Sequence, residues 1–178
     1  MSFPFEKSLS LWGFMGSGKT HWGQRLAETL RVPFVDLDQR IEARTGLSVA
    51  ELFTLEGESG FRIREREVLN EVLVQPGPFV LALGGGTPCF FDNAERLRTH
   101  TLSVFLDVPP DLLAERLRPE KAQRPLLAEW PENEWSERLA ALLERRRPFY
   151  EKAHLHCSVD QGFPLGTEEF LQWIARDL

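Results

Sequence analysis

Apolar positions along this chain follow two rhythms. "FVLAL" (79–83) and "LSVFL" (102–106) are continuous apolar runs, the pattern of strands covered on both faces. "SLSLW" (8–12) is a third apolar stretch of strand length. "VPFVDLD" (32–38) reads as a short strand with Pro33 tolerated at its entry, and "HLHCSV" (154–159) as a last one. Between them the period lengthens to that of a helix. Trp22, Leu26 and Leu30 recur every four residues, and "LDQRIEART" is closed by Gly46. "SVAELFTLE" is followed by "ESGFRIREREVLNEVLV", where Phe61, Val68, Leu69, Val72 and Leu73 share one stripe until "PGP" (76–78) stops it. "DNAERLRT", "PDLLAERL", "EWSERLAALLERRR" and "TEEFLQWIARDL" read as further helices. Strands alternating with helices predict an α/β fold, a parallel sheet flanked by helices.

Composition narrows the class. A chain of 178 residues without repeats, low-complexity tracts or a linker is expected to be one domain over 1–178, and 42% hydrophobic residues suffice for a sizeable core. The net charge of −6 argues against a nucleic-acid surface, since phosphate backbones reward basic patches. No apolar run approaches a membrane span, and "MSFPFEKSLS" lacks the apolar centre of a signal peptide. Cys89 and Cys157 stand far apart with no second pair, which indicates neither a disulfide framework nor a zinc site. A reduced, cytoplasmic setting is the expectation.

The chemistry begins at "GFMGSGKT" (13–20), which fits the P-loop spacing between a strand and a helix. Gly13, Gly16 and Gly18 allow backbone angles that turn successive N–H groups toward one anion, and the following helix adds its own unpaired N–H groups. Lys19 supplies a cation for the β- and γ-phosphates and Thr20 a hydroxyl for Mg²⁺. Ligands of such sheets bind beyond the carboxyl ends of the strands. There stand Asp36 and Asp38, which on an extended segment would point to one side, although Asp is also a good helix cap. Gly84, Gly85 and Gly86 follow the third strand, either as a loose turn or as bare backbone for a ligand to approach. Arg62 and Glu65 share a helix face; Arg64, Arg66 and Glu67 read as solvated.

"GFMGSGKT", "DLD", "GESGFRIRE", "LALGGG", "RPLL" and "RRPFYEKA" occur in an order and spacing that resembles the shikimate kinase family, from residue 9 to about 160. The resemblance implies a three-layer P-loop kinase fold with a five-stranded parallel sheet and a mobile lid. It implies transfer of the ATP γ-phosphate to the 3-hydroxyl of shikimate, on the route to chorismate and the aromatic amino acids, by a monomer. The nucleotide set it implies is Gly13, Met15, Gly16, Ser17, Gly18, Lys19, Thr20 and Arg124. Thr20 and Asp36 are implied for Mg²⁺. Asp38 is matched to the substrate hydroxyls, Arg62 and Arg146 to the substrate carboxylate, with Glu65, Gly84, Gly85 and Gly86 beside them. Lys19, Asp38 and Arg124 would carry the catalysis. Arginine's planar fork suits a carboxylate, and an ionised Asp, which only accepts, suits vicinal hydroxyls.

Other positions carry separate expectations. Trp12 stands where the family has a smaller aliphatic residue, and altered packing is expected there. His21 reads as an ordinary helix residue. Asp107, ending "LSVFLD", has the look of a Walker B acid, but the family points to Asp36 for the metal. His154, His156 and Cys157 are explained by alternation on a terminal strand. Arg116 and Arg118 are both candidates for contacting adenine. Residues 118–134 carry three prolines and many charges without periodicity, and are expected to form the lid. Two other functions stay open: a gluconate kinase-like enzyme for another small hydroxylated acid, and a non-catalytic nucleotide-binding module.

Overall fold

Leu9 and Leu11 alternate with Ser8 and Ser10 along β1 (Ser8–Trp12), and all five residues are buried. A strand buried on both faces needs cover on both. In the computed structural model, which describes residues 5–124, 126–158 and 166–176, β1 lies at the centre of a sheet. Its companions are β2 (Phe34–Asp36), β3 (Val80–Ala82), β4 (Thr101–Asp107) and β5 (Leu155–Ser158), in the order β2-β3-β1-β4-β5. Every neighbouring pair is parallel, with Leu11 opposite Ala82 on one side and Val104 on the other. This is the α/β architecture expected.

Helices cover the two faces. On one, α1 (Lys19–Leu30) and α7 (Thr167–Arg176) bring Leu26, Ala27, Phe170 and Ile174 onto Leu9, Leu11, Val80 and Val104. On the other lie α2 (Leu37–Thr45), α3 (Val49–Leu73), α4 (Asn93–His100), α5 (Pro110–Leu117) and α6 (Trp135–Tyr150). Their Ile41, Val68, Leu69, Leu97, Leu113, Leu139 and Tyr150 pack with Trp12, Leu81 and Phe105. Each such leucine contributes about 1.5–3 kcal/mol through burial. Trp12 is fully buried, and its indole N–H donates to Ser10 Oγ at 2.9 Å, so the large ring is both packed and satisfied.

The two helical patterns at 48–74 hold: α3 is two helices that meet at a kink at Gly57, φ 68°, ψ −178°. Two other expectations change. Asp38 does not sit on an extended strand: β2 ends at Asp36, and Asp38 is in the first turn of α2. Asp36 caps that helix, accepting from the N–H groups of Asp38 and Gln39, so the capping role and the site position coincide. Residues 118–134 are not structureless. They contain short 3₁₀ turns at Arg118–Gln123 and Glu132–Glu134, with Leu127 fully buried between them.

Candidate active site

Three glycines shape the phosphate loop. Gly13, Gly16 and Gly18 have φ of 139°, 76° and 93°, values that a side chain makes costly. Gly18 precedes α1 directly, so the helix N-terminus opens onto the loop. Lys19 folds back across it and donates to the carbonyls of Gly13 (3.0 Å) and Phe14 (2.7 Å). Burial lowers the Lys19 ammonium to about 8, against the opposing pull of Asp38. Thr20 Oγ1 donates to Asp36 Oδ2 at 2.9 Å. A hydroxyl and a carboxylate in contact are hard oxygen donors of the kind Mg²⁺ takes together with substrate phosphates.

The loop lines a cavity of about 840 Å³ with Asp36, Asp38, Gly84, Gly85, Arg116, Glu120 and Arg124. Arg116 reaches it and donates to the Gly16 carbonyl at 3.3 Å, whereas Arg118 is paired with Glu132 at 2.5 Å outside it. Of the two arginines, Arg116 and not Arg118 lines the phosphate-loop cavity. His21, read as an ordinary helix residue, also lines this cavity.

A second cavity, about 350 Å³, opens beside the first. Arg62 and Arg146 line it, only 4% and 6% exposed, so both cations lie largely out of water. Arg62 donates to Glu65 and Glu58, each at 3.0 Å, and Glu65 accepts from Thr87 Oγ1 at 2.7 Å. Arg146 donates to the Gly85 carbonyl at 3.3 Å. Met15, Asp38, Gly84, Gly85 and Arg124 line both cavities, so Asp38 is the carboxylate that the two share. Burial, reinforced by Glu65 and Asp36, raises that carboxyl to about 6.

Gly84, Gly85 and Gly86 are required for space. None has positive φ, but a Cβ on Gly84 would lie 2.9 Å from Asp38 Oδ1, on Gly85 2.8 Å from the Met15 nitrogen, and on Gly86 2.5 Å from Arg62 Nη2. They let the site's own side chains and loop close together. They are therefore not a loose turn, and all three line the second cavity, Gly84 and Gly85 the first as well.

Leu155 and Cys157 are buried and His156 is exposed, the alternation expected of the last strand. Asp107 is held by a two-pronged pair with Arg147 (2.9 and 3.1 Å) and lines neither cavity. His154 Nδ1 bonds Ser103 Oγ at 2.7 Å, and His156 Nε2 meets the Glu151 carbonyl at 3.0 Å. Arg66 is more than solvated: it pairs with Asp92 at 2.9 Å and lies over Phe91. Tyr150, missed in the sequence, donates its hydroxyl to the Gly85 carbonyl, and burial raises its pKa. Its signal was spacing, because it follows Arg146 by one helical turn. Glu58 and Thr87 were missed as well, since their role depends on where the 84–93 segment meets α3.

A parallel sheet ending in a phosphate loop, with an acid and paired arginines beyond it, defines a P-loop phosphotransferase acting on a small acceptor. The sequence model of the family "Shikimate kinase" matches residues 15–175. Curated shikimate kinases from Bacteroides thetaiotaomicron and Thermus thermophilus are 45% and 42% identical, each over 85% of this chain and over 86% and 80% of their own. The solved shikimate kinase from Bacteroides thetaiotaomicron superposes with a TM-score of 0.84 at 41% identity, covering 96% of this chain and 97% of its own. The one from Acinetobacter baumannii, solved in complex with shikimate, gives 0.86 at 36% identity, over 98% and 96%. The chain belongs to the shikimate kinase family. A gluconokinase from Sinorhizobium meliloti 1021, at 19% identity and a TM-score of 0.56 over 99% of this chain and 94% of its own, shares the fold alone.

Proposed function

We propose that this chain transfers the γ-phosphate of ATP to the 3-hydroxyl of shikimate, giving shikimate 3-phosphate and ADP. The observation that carries the reading is the junction at Asp38: a phosphate loop opens on one side and a small pocket holding two buried arginines on the other. Shikimate has one carboxylate and three hydroxyls on a small ring. Arg62 and Arg146 take the carboxylate, and Asp38 accepts from the ring hydroxyls.

Phosphoryl transfer depends mostly on positioning and charge, so the protein's task is alignment. The loop N–H groups and Lys19 hold the phosphates, and Arg116 serves the adenine side. Asp38, ionised above about pH 6, orients the attacking hydroxyl and accepts its proton. Thr20 and Asp36 would hold Mg²⁺, which would supply positive charge to offset that of the nucleotide phosphates. Residues 118–134 act as a lid that brings Arg124 to the phosphates and excludes water, which would otherwise compete for the phosphoryl group. A monomer in the reduced cytoplasm completes the reading, consistent with Cys89 and Cys157 being free thiols.

A panel of acceptors, shikimate and gluconate among them, in a coupled ADP-release assay tests the substrate. Turnover with shikimate alone is expected; preference for another acid would replace the reading, and none with any acceptor would favour a binding module. Arg62→Ala and Arg146→Ala should each weaken shikimate binding by about 2–5 kcal/mol, with ATP affinity nearly unchanged by calorimetry.

A further inference from the structure

The Arg62 guanidinium is fixed along its edges by Glu58 and Glu65, but edge contacts alone leave a planar group free to tilt. Its face lies over the ring of Phe90, 4.2 Å from Cζ to the ring centroid, closer than Phe61 at 5.1 Å or Phe53 at 5.9 Å. Phe53 and Phe61 line the acceptor cavity, whereas Phe90 lines neither cavity. Phe90 therefore meets Arg62 outside the acceptor cavity.

We propose that Phe90 is a positioning residue for acceptor recognition, its ring holding the plane of the Arg62 guanidinium so that its free edge faces the acceptor's carboxylate. Stacking on an aromatic face uses the flat side of arginine and leaves its N–H edges for anions. The ring is itself anchored. Phe90 ends the short 3₁₀ turn Thr87–Cys89, whose Thr87 carbonyl accepts from Asn93 Nδ2 at 2.9 Å. The next residue, Phe91, has φ 52°, a left-handed conformation that a bulky side chain adopts only under constraint. Arg66 supplies that constraint, pairing with Asp92 at 2.9 Å and lying 4.9 Å from the Phe91 ring centroid. Arg62 and Arg66, one turn apart on α3, thus each meet one of two consecutive rings, which sets the register of the 87–92 segment against the helix.

The proposal rests on the reading of Arg62 as a carboxylate contact, and its test separates the two. Phe90→Leu keeps an apolar side chain and removes the aromatic face, whereas Phe90→Tyr keeps the face. Phe90→Leu should raise the KM for shikimate about 5- to 30-fold, with kcat and the KM for ATP within about twofold, and Phe90→Tyr should return it close to the parent value. In an Arg62→Ala background, Phe90→Leu should add nothing further, because the ring acts through that guanidinium. Should the leucine variant not fold by circular dichroism, Phe90→Met gives the same comparison. An unchanged KM, an equal further loss without Arg62, or no recovery with tyrosine overturns the proposal. A parent enzyme with no shikimate turnover sinks the functional reading itself.

Discussion

Gly86→Ala isolates space from backbone conformation. Gly86 sits at φ −101°, ψ −14°, which alanine adopts without strain, so the whole effect must come from the added methyl. That methyl would lie 2.5 Å from Arg62 Nη2, 2.8 Å from Cζ and 2.9 Å from Nη1, whereas ordinary contact begins at 3.4 Å. The guanidinium must retreat by roughly an ångström, a displacement large enough to spoil substrate alignment. It cannot do so freely, being bonded to Glu58 and Glu65 and stacked on Phe90. Losing one charge-assisted hydrogen bond there costs about 1.5–3 kcal/mol, or roughly 10- to 150-fold in affinity. Calorimetry with shikimate, and a coupled ADP-release assay with shikimate varied at saturating ATP, should show this loss. ATP affinity should stay within about twofold, because the three atoms nearest the methyl all belong to Arg62. A shikimate affinity within twofold of the parent would refute the steric account, as would an equal loss for ATP.

Lys19→Met keeps much of the stem but removes the charge facing the transferring phosphoryl group; turnover in the same assay should fall by about 10²-fold or more. Near-normal turnover would mean the loop is not the catalytic nucleotide site. Because the Asp38 carboxyl is raised to about 6, it is ionised above that pH and protonated below it. Shikimate affinity for the nucleotide-free protein, followed by calorimetry, should fall as pH drops through 6, and Asp38→Asn should remove that dependence. Arg124→Ala should lower turnover by about 10²–10³-fold with a smaller effect on shikimate binding. Backbone amides of 118–134 should gain protection from hydrogen exchange with ADP and shikimate bound; equal exchange in both states, with a fully active variant, would contradict the lid.

What the sequence determined by itself was local. Continuous apolar runs marked β3 and β4 because strands covered twice have no polar face, and a four-residue period marked α1. The phosphate loop was legible because its glycines answer a local demand for positive φ, as Gly46 does at the end of α2, with φ 72°. The central position of β1 was not legible, since an apolar run says that a segment is buried and not which neighbours bury it. Gly84, Gly85 and Gly86 were visible as a motif, yet the reason for them lies in Asp38, Arg62 and Met15, distant in sequence and within 3 Å of where a methyl would stand. Arg116 and Arg118 looked equivalent two residues apart. The fold separates them, because on leaving α5 the chain turns one toward Gly16 and the other toward Glu132. Asp107 had the sequence context of a metal acid until α6 brought Arg147 against it. Backbone conformation, periodicity and the pairing of Arg62 with Glu65 three residues on are properties of neighbouring residues and survive in a one-dimensional reading. The partners of Asp107 and Arg118 and the steric limits at 84–86 arise only when distant segments meet.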